Sequence, residues 1–395
     1  MKYEDIKKVI ESCHLNFLIG SGASKPFLDT LTDIEKALDS LYKGDGLNEK
    51  QNNPNVLKLI EVSIKHYYFK KCIEKNIELI SIEEKSNETF NTYIELLQSI
   101  QTILVKRFTN IISKQVNLFT TNMDIFLDVA IEKLGYSIND GFSGRMNPKF
   151  GTENFHNIIN KVSSHYEYQS TVPLFNLFKL HGSINWAFNK EDEDIYFDGS
   201  LSVTRKLSGI NFNEDDLIKC FNNDGKALEL SEIYESAAVK KIEVDLDEKL
   251  ELFLSTYQKL IMVNPNKDKF EETTLKYSYY EQLRMYSNNL ERDNSVLIVC
   301  GFSFADEHIC KITKRVAKSN PTLLILIFAY NDNAEEEIKD RLSIASNIIY
   351  LPRNNGNFYL STVNEFFLGK LANELISPTK DKEKKEALKE GENGQ

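Results

Sequence analysis

Cysteine is scarce and scattered in this chain of 395 residues: Cys13, Cys72, Cys220, Cys300 and Cys310 are the only five. None stands in a C-x-x-C pair, which removes a zinc ribbon and a thioredoxin-like site from consideration. Scattered reduced thiols of this kind suit a cytoplasmic protein. No apolar run reaches the roughly 20 residues that a membrane span needs. The first residues, MKYEDIKKVIESC, carry acidic side chains within an amphipathic pattern, not the apolar run of a signal peptide. A basic excess is also missing: 48 Lys and Arg against 59 Asp and Glu leave a net charge of −11. Phosphate-backbone binding needs clustered cations, so direct nucleic-acid binding is not expected. The acidic runs EDED, NEDD and DLDEK lack a metal-binding spacing and read as solvated surface.

What the chain does have is a hydrophobic fraction of 41%, enough for a core, arranged as short apolar runs. Six of them read as strands: Leu15–Ile19, Val116–Thr121, Leu174–Leu180, Ser295–Cys300, Leu323–Ala329 and Ile348–Leu351. They alternate with helical stretches and several are apolar throughout, the pattern of parallel strands buried on both faces. The expected fold class is therefore α/β, a Rossmann-like doubly wound parallel sheet. One domain is expected over residues 1–376, with helical insertions at about 45–113 and 205–294. The charged tail, 377–395, is expected to be disordered. Within the first insertion, Phe90, Tyr93, Ile94, Leu97, Ile100 and Leu104 form an apolar stripe that reads as packing.

Four strand ends carry the polar and glycine clusters, and in open α/β sheets that edge is where ligands bind. The first is Gly20-Ser21-Gly22-Ala23-Ser24, where glycines permit a tight turn and a close backbone approach. Alone it reads as an ordinary turn or as a phosphate loop, since the third glycine of the dinucleotide fingerprint is missing. The second, TTNMD, places Thr121, Asn122 and Asp124 between a strand and a helix. Asp124 reads equally as a helix cap and as a functional group. The third, KLHGS, sets His181 at a strand end beside the single tryptophan, Trp186. The fourth, GFSFADEH, holds Gly301, Ser303, Phe304, Asp306 and His308.

Together these clusters resemble the sirtuin-type NAD-binding fold, and more narrowly the sirtuin-like NADases of bacterial antiphage defence that partner a HerA-type ATPase. The similarity runs from about Leu15 to Ala329. The resemblance implies that Gly20, Ser21, Gly22, Ala23 and Ser24 cradle the diphosphate of NAD+ and that the TTNMD segment, with Thr121, holds the nicotinamide ribose. His181 takes the family's catalytic histidine position. Gly301, Ser303, Phe304 and Asp306 fall on the motif that binds the adenosine side, and His308 either joins them or caps and packs a helix. Zinc-bearing deacylases of the family place two C-x-x-C pairs after the histidine. Here AFNKEDEDIYFD stands instead, and PFLDTL replaces their Asp-Phe-Arg. No zinc is expected, and water is a better acceptor than an acyl-lysine peptide.

The residue chemistry suits cleavage of the N-glycosidic bond. Nicotinamide leaves as a neutral molecule, so the site must align water and stabilise an oxocarbenium-like ribose. Asn122 would orient the ribose or the water, His181 would accept a proton, and Asp124 would hold the loop or stabilise positive charge. The expected function is NAD+ glycohydrolysis depleting NAD+ in defence, in a homo-oligomer with a HerA-type ATPase and with the insertions as assembly surfaces. The alternative is a non-hydrolytic module binding NAD+ or ADP-ribose; a protein deacylase and a nuclease rank below both.

Overall fold

The computed structural model describes residues 3–375 apart from 31–32, 48–50, 83–86, 108–111, 166, 214, 263–272, 343–344 and 354–355. The tail expected to be disordered, 377–395, lies outside the described residues. A seven-stranded sheet organises the chain: β1 (His14–Ile19), β2 (Gln115–Thr120), β3 (Ser137–Asn139), β4 (Leu174–Lys179), β5 (Ser295–Cys300), β6 (Leu324–Phe328) and β7 (Ile348–Tyr350). The spatial order is β7-β6-β5-β1-β2-β4-β3. Every pairing is parallel. This is the Rossmann-like, doubly wound arrangement. Chain order reverses at β1, so the C-terminal ends of β1, β2 and β5 form the switch point where such sheets open a crevice.

The period-2 rule explains why these runs are apolar throughout. Leu15, Phe17 and Ile19 of β1, with Val296, Ile298 and Cys300 of β5, face one core cluster. Leu18, Leu297 and Val299 face the other. The first cluster is covered by α1 (Tyr3–Glu11), α2 (Pro54–Tyr68), α3 (Glu88–Lys106) and α4 (Phe126–Lys133). The second is covered by α5 (Thr273–Glu291) and α6 (Glu307–Ser319). Among the described residues the first expected insertion, 45–113, is mostly helical, and the second, 205–294, holds the helices Leu230–Ala238, Val244–Tyr257 and α5 between loops. Helix α2 packs with the helices Leu230–Ala238 and Val244–Tyr257, whereas α3 lies on β2 and α4, and α5 lies on β5 and β1. Both long helices therefore belong to the layers that cover the sheet. Among the described residues no helix is long and apolar enough to cross a membrane.

Two features were not legible in the strand pattern. Strand β3 is short and mostly polar and pairs only with β4 at the sheet edge. A separate antiparallel sheet joins Phe142–Ser143, Lys149–Phe150, Asp194–Phe197 and Trp186–Asn189 in that order. Its last two strands form a hairpin over AFNKEDEDIYFD, with Glu191, Asp192 and Glu193 exposed at the turn. Trp186 and Ile195 anchor it in a small core of their own with Ile261 and Tyr279.

Candidate active site

The glycines after β1 and β5 are there because two loop backbones touch. A Cβ on Gly20 would lie 2.4 Å from the Gly301 carbonyl oxygen. Gly301 has φ +64°, and a Cβ there would lie 2.5 Å from the Ala23 nitrogen. The N–H groups of Gly20, Gly22 and Ala23 donate to the carbonyls of Cys300, Gly301 and Gly20, each at 3.0 Å. The first two hold the loops together and the third closes the turn within its own loop, so all three donors, expected to face a diphosphate, are engaged. Ser21 and Gly22 remain partly exposed on one side of the seam, and Gly301 and Ser303 are exposed on the other. A guanidinium stands beside this edge: Arg341 donates from Nη1 to the Ser303 carbonyl at 2.7 Å.

Beneath this seam lies a buried polar network centred on Ser24. Its Oγ donates to Asp124 Oδ2 at 2.6 Å, lies 3.0 Å from the Tyr93 hydroxyl and accepts from Asn122 Nδ2 at 3.2 Å. Asn122 Nδ2 also donates to the Gly20 carbonyl at 3.1 Å. The Asn122 backbone N–H bonds Thr120 Oγ1, which in turn donates to the Ile19 carbonyl. Both amide hydrogens are thus committed. Asn122 is 6% exposed, yet its Oδ1 has no hydrogen-bond partner among the described residues. That oxygen is a buried acceptor that a water or ligand donor would satisfy, since a buried polar atom left unpaired is costly.

Asp124 is also buried, and both carboxylate oxygens are engaged: Oδ2 by Ser24 and Oδ1 by the Phe126 N–H at 3.3 Å. Burial raises its pKa above the usual carboxylate value, with Lys179 and the Ser24 hydroxyl opposing. Its geometry is that of a residue holding the loop. Tyr93 joins the site through its hydroxyl while its ring stacks on Phe126 at 4.9 Å. In the sequence it belongs only to a packing stripe, and a tyrosine in an otherwise aliphatic and Phe stripe is the available signal. Burial pushes its phenol well above the ordinary value, so it stays protonated.

His181 stands partly exposed past the end of β4, and its Nε2 lies 3.1 Å from Asp306 Oδ2. In the neutral imidazole this pairing places the proton on Nε2 and leaves Nδ1 as the basic nitrogen. The other oxygen of Asp306 caps α6 by accepting from the Ile309 N–H at 3.0 Å. Asp306 thus touches His181, a relationship not expected of a residue assigned to the adenosine side. Thr121 lies partly exposed at the rim. Two other expected contacts are placed elsewhere. Phe304 is 1% exposed within the second core cluster, so only its backbone is available to a ligand. His308 lines a groove of about 500 Å³ between α5 and α6, with Arg284, Lys311 and Arg315.

The turns carrying Asn122 and His181 are joined directly. The Ile184 N–H and the Ser183 hydroxyl both donate to the Met123 carbonyl at 3.2 Å. Lys179, which sequence reasoning missed although it is a cation in an apolar strand, donates to the Asp124 carbonyl and pairs with Asp128. All five cysteines are buried and free, and among the described residues no three His, Cys, Asp or Glu side chains gather as a metal site.

No family model and no curated protein matches the chain. Solved structures do. One is a Sir2 homologue in complex with NAD, 12% identical over 94% of this chain and 95% of that one, with a TM-score of 0.42. Another is a Sir2 protein with a deacetylated peptide and 3'-O-acetyl-ADP-ribose, 11% identical over 95% and 100% of the two chains, TM-score 0.42. A mutant Sir2 homologue in complex with ADP-ribose is 12% identical over 95% and 98%, TM-score 0.40.

Proposed function

We propose that this chain is an NAD+ glycohydrolase, cleaving NAD+ with water to nicotinamide and ADP-ribose. The observation that carries this reading is the unpaired Oδ1 of Asn122, buried where the glycine seam meets the turn that is hydrogen-bonded to that of His181. An amide fixed by its own two hydrogens is a preorganised acceptor for a water or a ribose hydroxyl. In the reaction a water oxygen bonds to C1' of the nicotinamide ribose while the C1'–N bond breaks. The bonding pair moves onto the pyridinium ring, which departs as neutral nicotinamide, and the water loses a proton. Nδ1 of His181 is the group that takes that proton, with Nε2 held by Asp306. The diphosphate would lie along the exposed edge of Ser21, Gly22, Gly301 and Ser303, and Arg341 would supply charge there.

The defence setting belongs to the same proposal and rests on the four motifs: depletion of NAD+ on infection, by a homo-oligomer with a HerA-type ATPase. The test is nicotinamide release from NAD+ by the purified chain, alone and with that ATPase, beside Asn122→Ala and His181→Ala. Loss of release in both variants supports the assignment, and release unchanged in both removes it. NAD+ bound but uncleaved in every assembly would make the chain a non-hydrolytic binding module.

A further inference from the structure

We propose that Lys179 and Asp128 form a positioning pair whose buried contact, with Asn185, holds the His181 turn in register with the Asn122 turn. The inference rests on the glycohydrolase reading for its catalytic consequence. Lys179 ends β4, two residues before His181, and its side chain is 3% exposed. Its Nζ lies 2.7 Å from Asp128 Oδ2 and donates to the main-chain carbonyl of Asp124. Asn185, four residues after His181 and 2% exposed, donates from Nδ2 to Asp128 Oδ1 at 3.0 Å. One carboxylate in the first turn of α4 therefore grips both ends of the turn that carries His181. Lys179 at the same time ties the strand end to the segment that carries Asn122.

Stability alone does not account for this arrangement. Desolvating a lysine and a carboxylate costs about as much as their attraction returns, and apolar residues of similar volume are commonly as stable or more so. The alternative residents are at hand, since Leu177, Phe178 and Leu180 beside Lys179 are all buried and apolar. What an apolar pair cannot supply is direction: a cation that donates to the Asp124 carbonyl while ion-paired with Asp128, and a carboxylate whose other oxygen accepts from Asn185. Catalysis that depends on water, Asn122 and His181 meeting in one geometry is sensitive to such direction, and a misplacement of about 1 Å costs on the order of 10²-fold in rate.

The test compares Lys179→Met, Asp128→Leu and the double variant with wild type in thermal melting, in steady-state nicotinamide release and in amide hydrogen exchange. Each single variant leaves one buried charge unpaired and melts lower. The double variant removes both charges and melts above the single variants, though below wild type, because the Asp124 carbonyl and the Asn185 amide lose their partners. The positioning role predicts that kcat of the double variant stays about 100-fold down, with KM for NAD+ changed less than about threefold. It also predicts faster exchange of the Ile184 amide, the donor that bridges to Met123. Recovery of kcat together with melting temperature would make the pair merely structural and overturn the proposal. If the wild-type chain releases no nicotinamide either alone or with the ATPase, the glycohydrolase reading fails on its own, and the clamp stands or falls on the Ile184 amide. Unchanged protection there in the double variant overturns it.

Discussion

Asp306 divides its carboxylate between two partners: Oδ2 meets His181 Nε2 at 3.1 Å while Oδ1 caps α6 through the Ile309 N–H. The two roles separate by substitution. Asparagine caps helices as well as aspartate but carries no charge. Asp306→Asn is expected to melt like the wild type and to release nicotinamide about tenfold more slowly, having lost the carboxylate that orients and balances the imidazole. Asp306→Ala loses the cap as well, about 1 kcal/mol by denaturant unfolding. Full activity in Asp306→Asn would show that catalysis does not draw on the pairing.

The seam between the glycine loops predicts a graded set of destabilisations. Gly44 has φ +68°, and a Cβ added there would meet nothing within 4 Å, so Gly44→Ala bears only the left-handed backbone cost, about 1 kcal/mol. Gly301→Ala bears that cost and a collision with the Ala23 backbone nitrogen as well. It is expected to lose more than about 3 kcal/mol in urea unfolding. Gly20→Ala has no left-handed cost but would press on the Gly301 carbonyl at 2.4 Å. Because backbone cannot swing away as a side chain does, NAD+ affinity is expected to fall in both loop variants and to stay at wild-type level in Gly44→Ala. Equal stability losses at Gly44 and Gly301 would mean that the seam gives way easily.

The strands and their edge clusters were legible in sequence because both report short-range physics: period-2 burial, and turn chemistry at strand ends. What escaped was set by distant partners. Asn16, Asn117 and Asn176 lie level with one another in β1, β2 and β4, and each amide donates to the next oxygen along the row, at 2.8 and 2.9 Å. In sequence they are isolated polar residues inside apolar runs, and only the sheet order makes them a ladder. Lys179 escaped in the same way, since its carboxylate partner is on another element. Phe304 and His308 share one stretch of sequence, but α6 starts between them and turns one side chain into the core and the other to the outer groove. A linear motif carries no information about that rotation.

Asp140 gives the chain a pH dependence opposite to that of a salt-bridged aspartate. Burial pushes its carboxyl up to about 6 from 3.8, with the Phe142 N–H opposing and Asp128 adding to the rise. Between those two values the folded chain holds a proton that the unfolded chain has released. The unfolded state then binds fewer protons, so stability falls as pH rises from about 4 to about 6. Above that window the cost is complete, at most about 3 kcal/mol. Asp124, raised in the same direction, adds to the slope. Asp140→Asn keeps an acceptor for the Phe142 N–H and removes the charge. It is expected to be more stable than wild type at pH 7, to match it near pH 4, and to show a flatter profile between. Urea unfolding at pH 4, 5.5 and 7 measures this, and parallel profiles for the two proteins would remove Asp140 as the source.

Ser24 is the hinge of the buried network, because its one oxygen meets Asp124, Tyr93 and Asn122 at 2.6, 3.0 and 3.2 Å. Ser24→Ala withdraws a hydroxyl donor from a buried carboxylate and one of the two acceptors that fix the Asn122 amide. Stability is expected to fall by about 2 kcal/mol. The freed amide can then rotate, so Oδ1 no longer holds its place and kcat is expected to fall by about tenfold or more. Tyr93→Phe removes a hydroxyl from the same cluster but leaves Ser24 bonded to both Asp124 and Asn122. Its ring still stacks on Phe126, so it should cost about 1 kcal/mol and little of the rate. The ranking is the informative result. If Tyr93→Phe slows nicotinamide release more than Ser24→Ala does, the phenol and not the serine aligns Asn122, and the helix α3 that carries it becomes part of the catalytic frame.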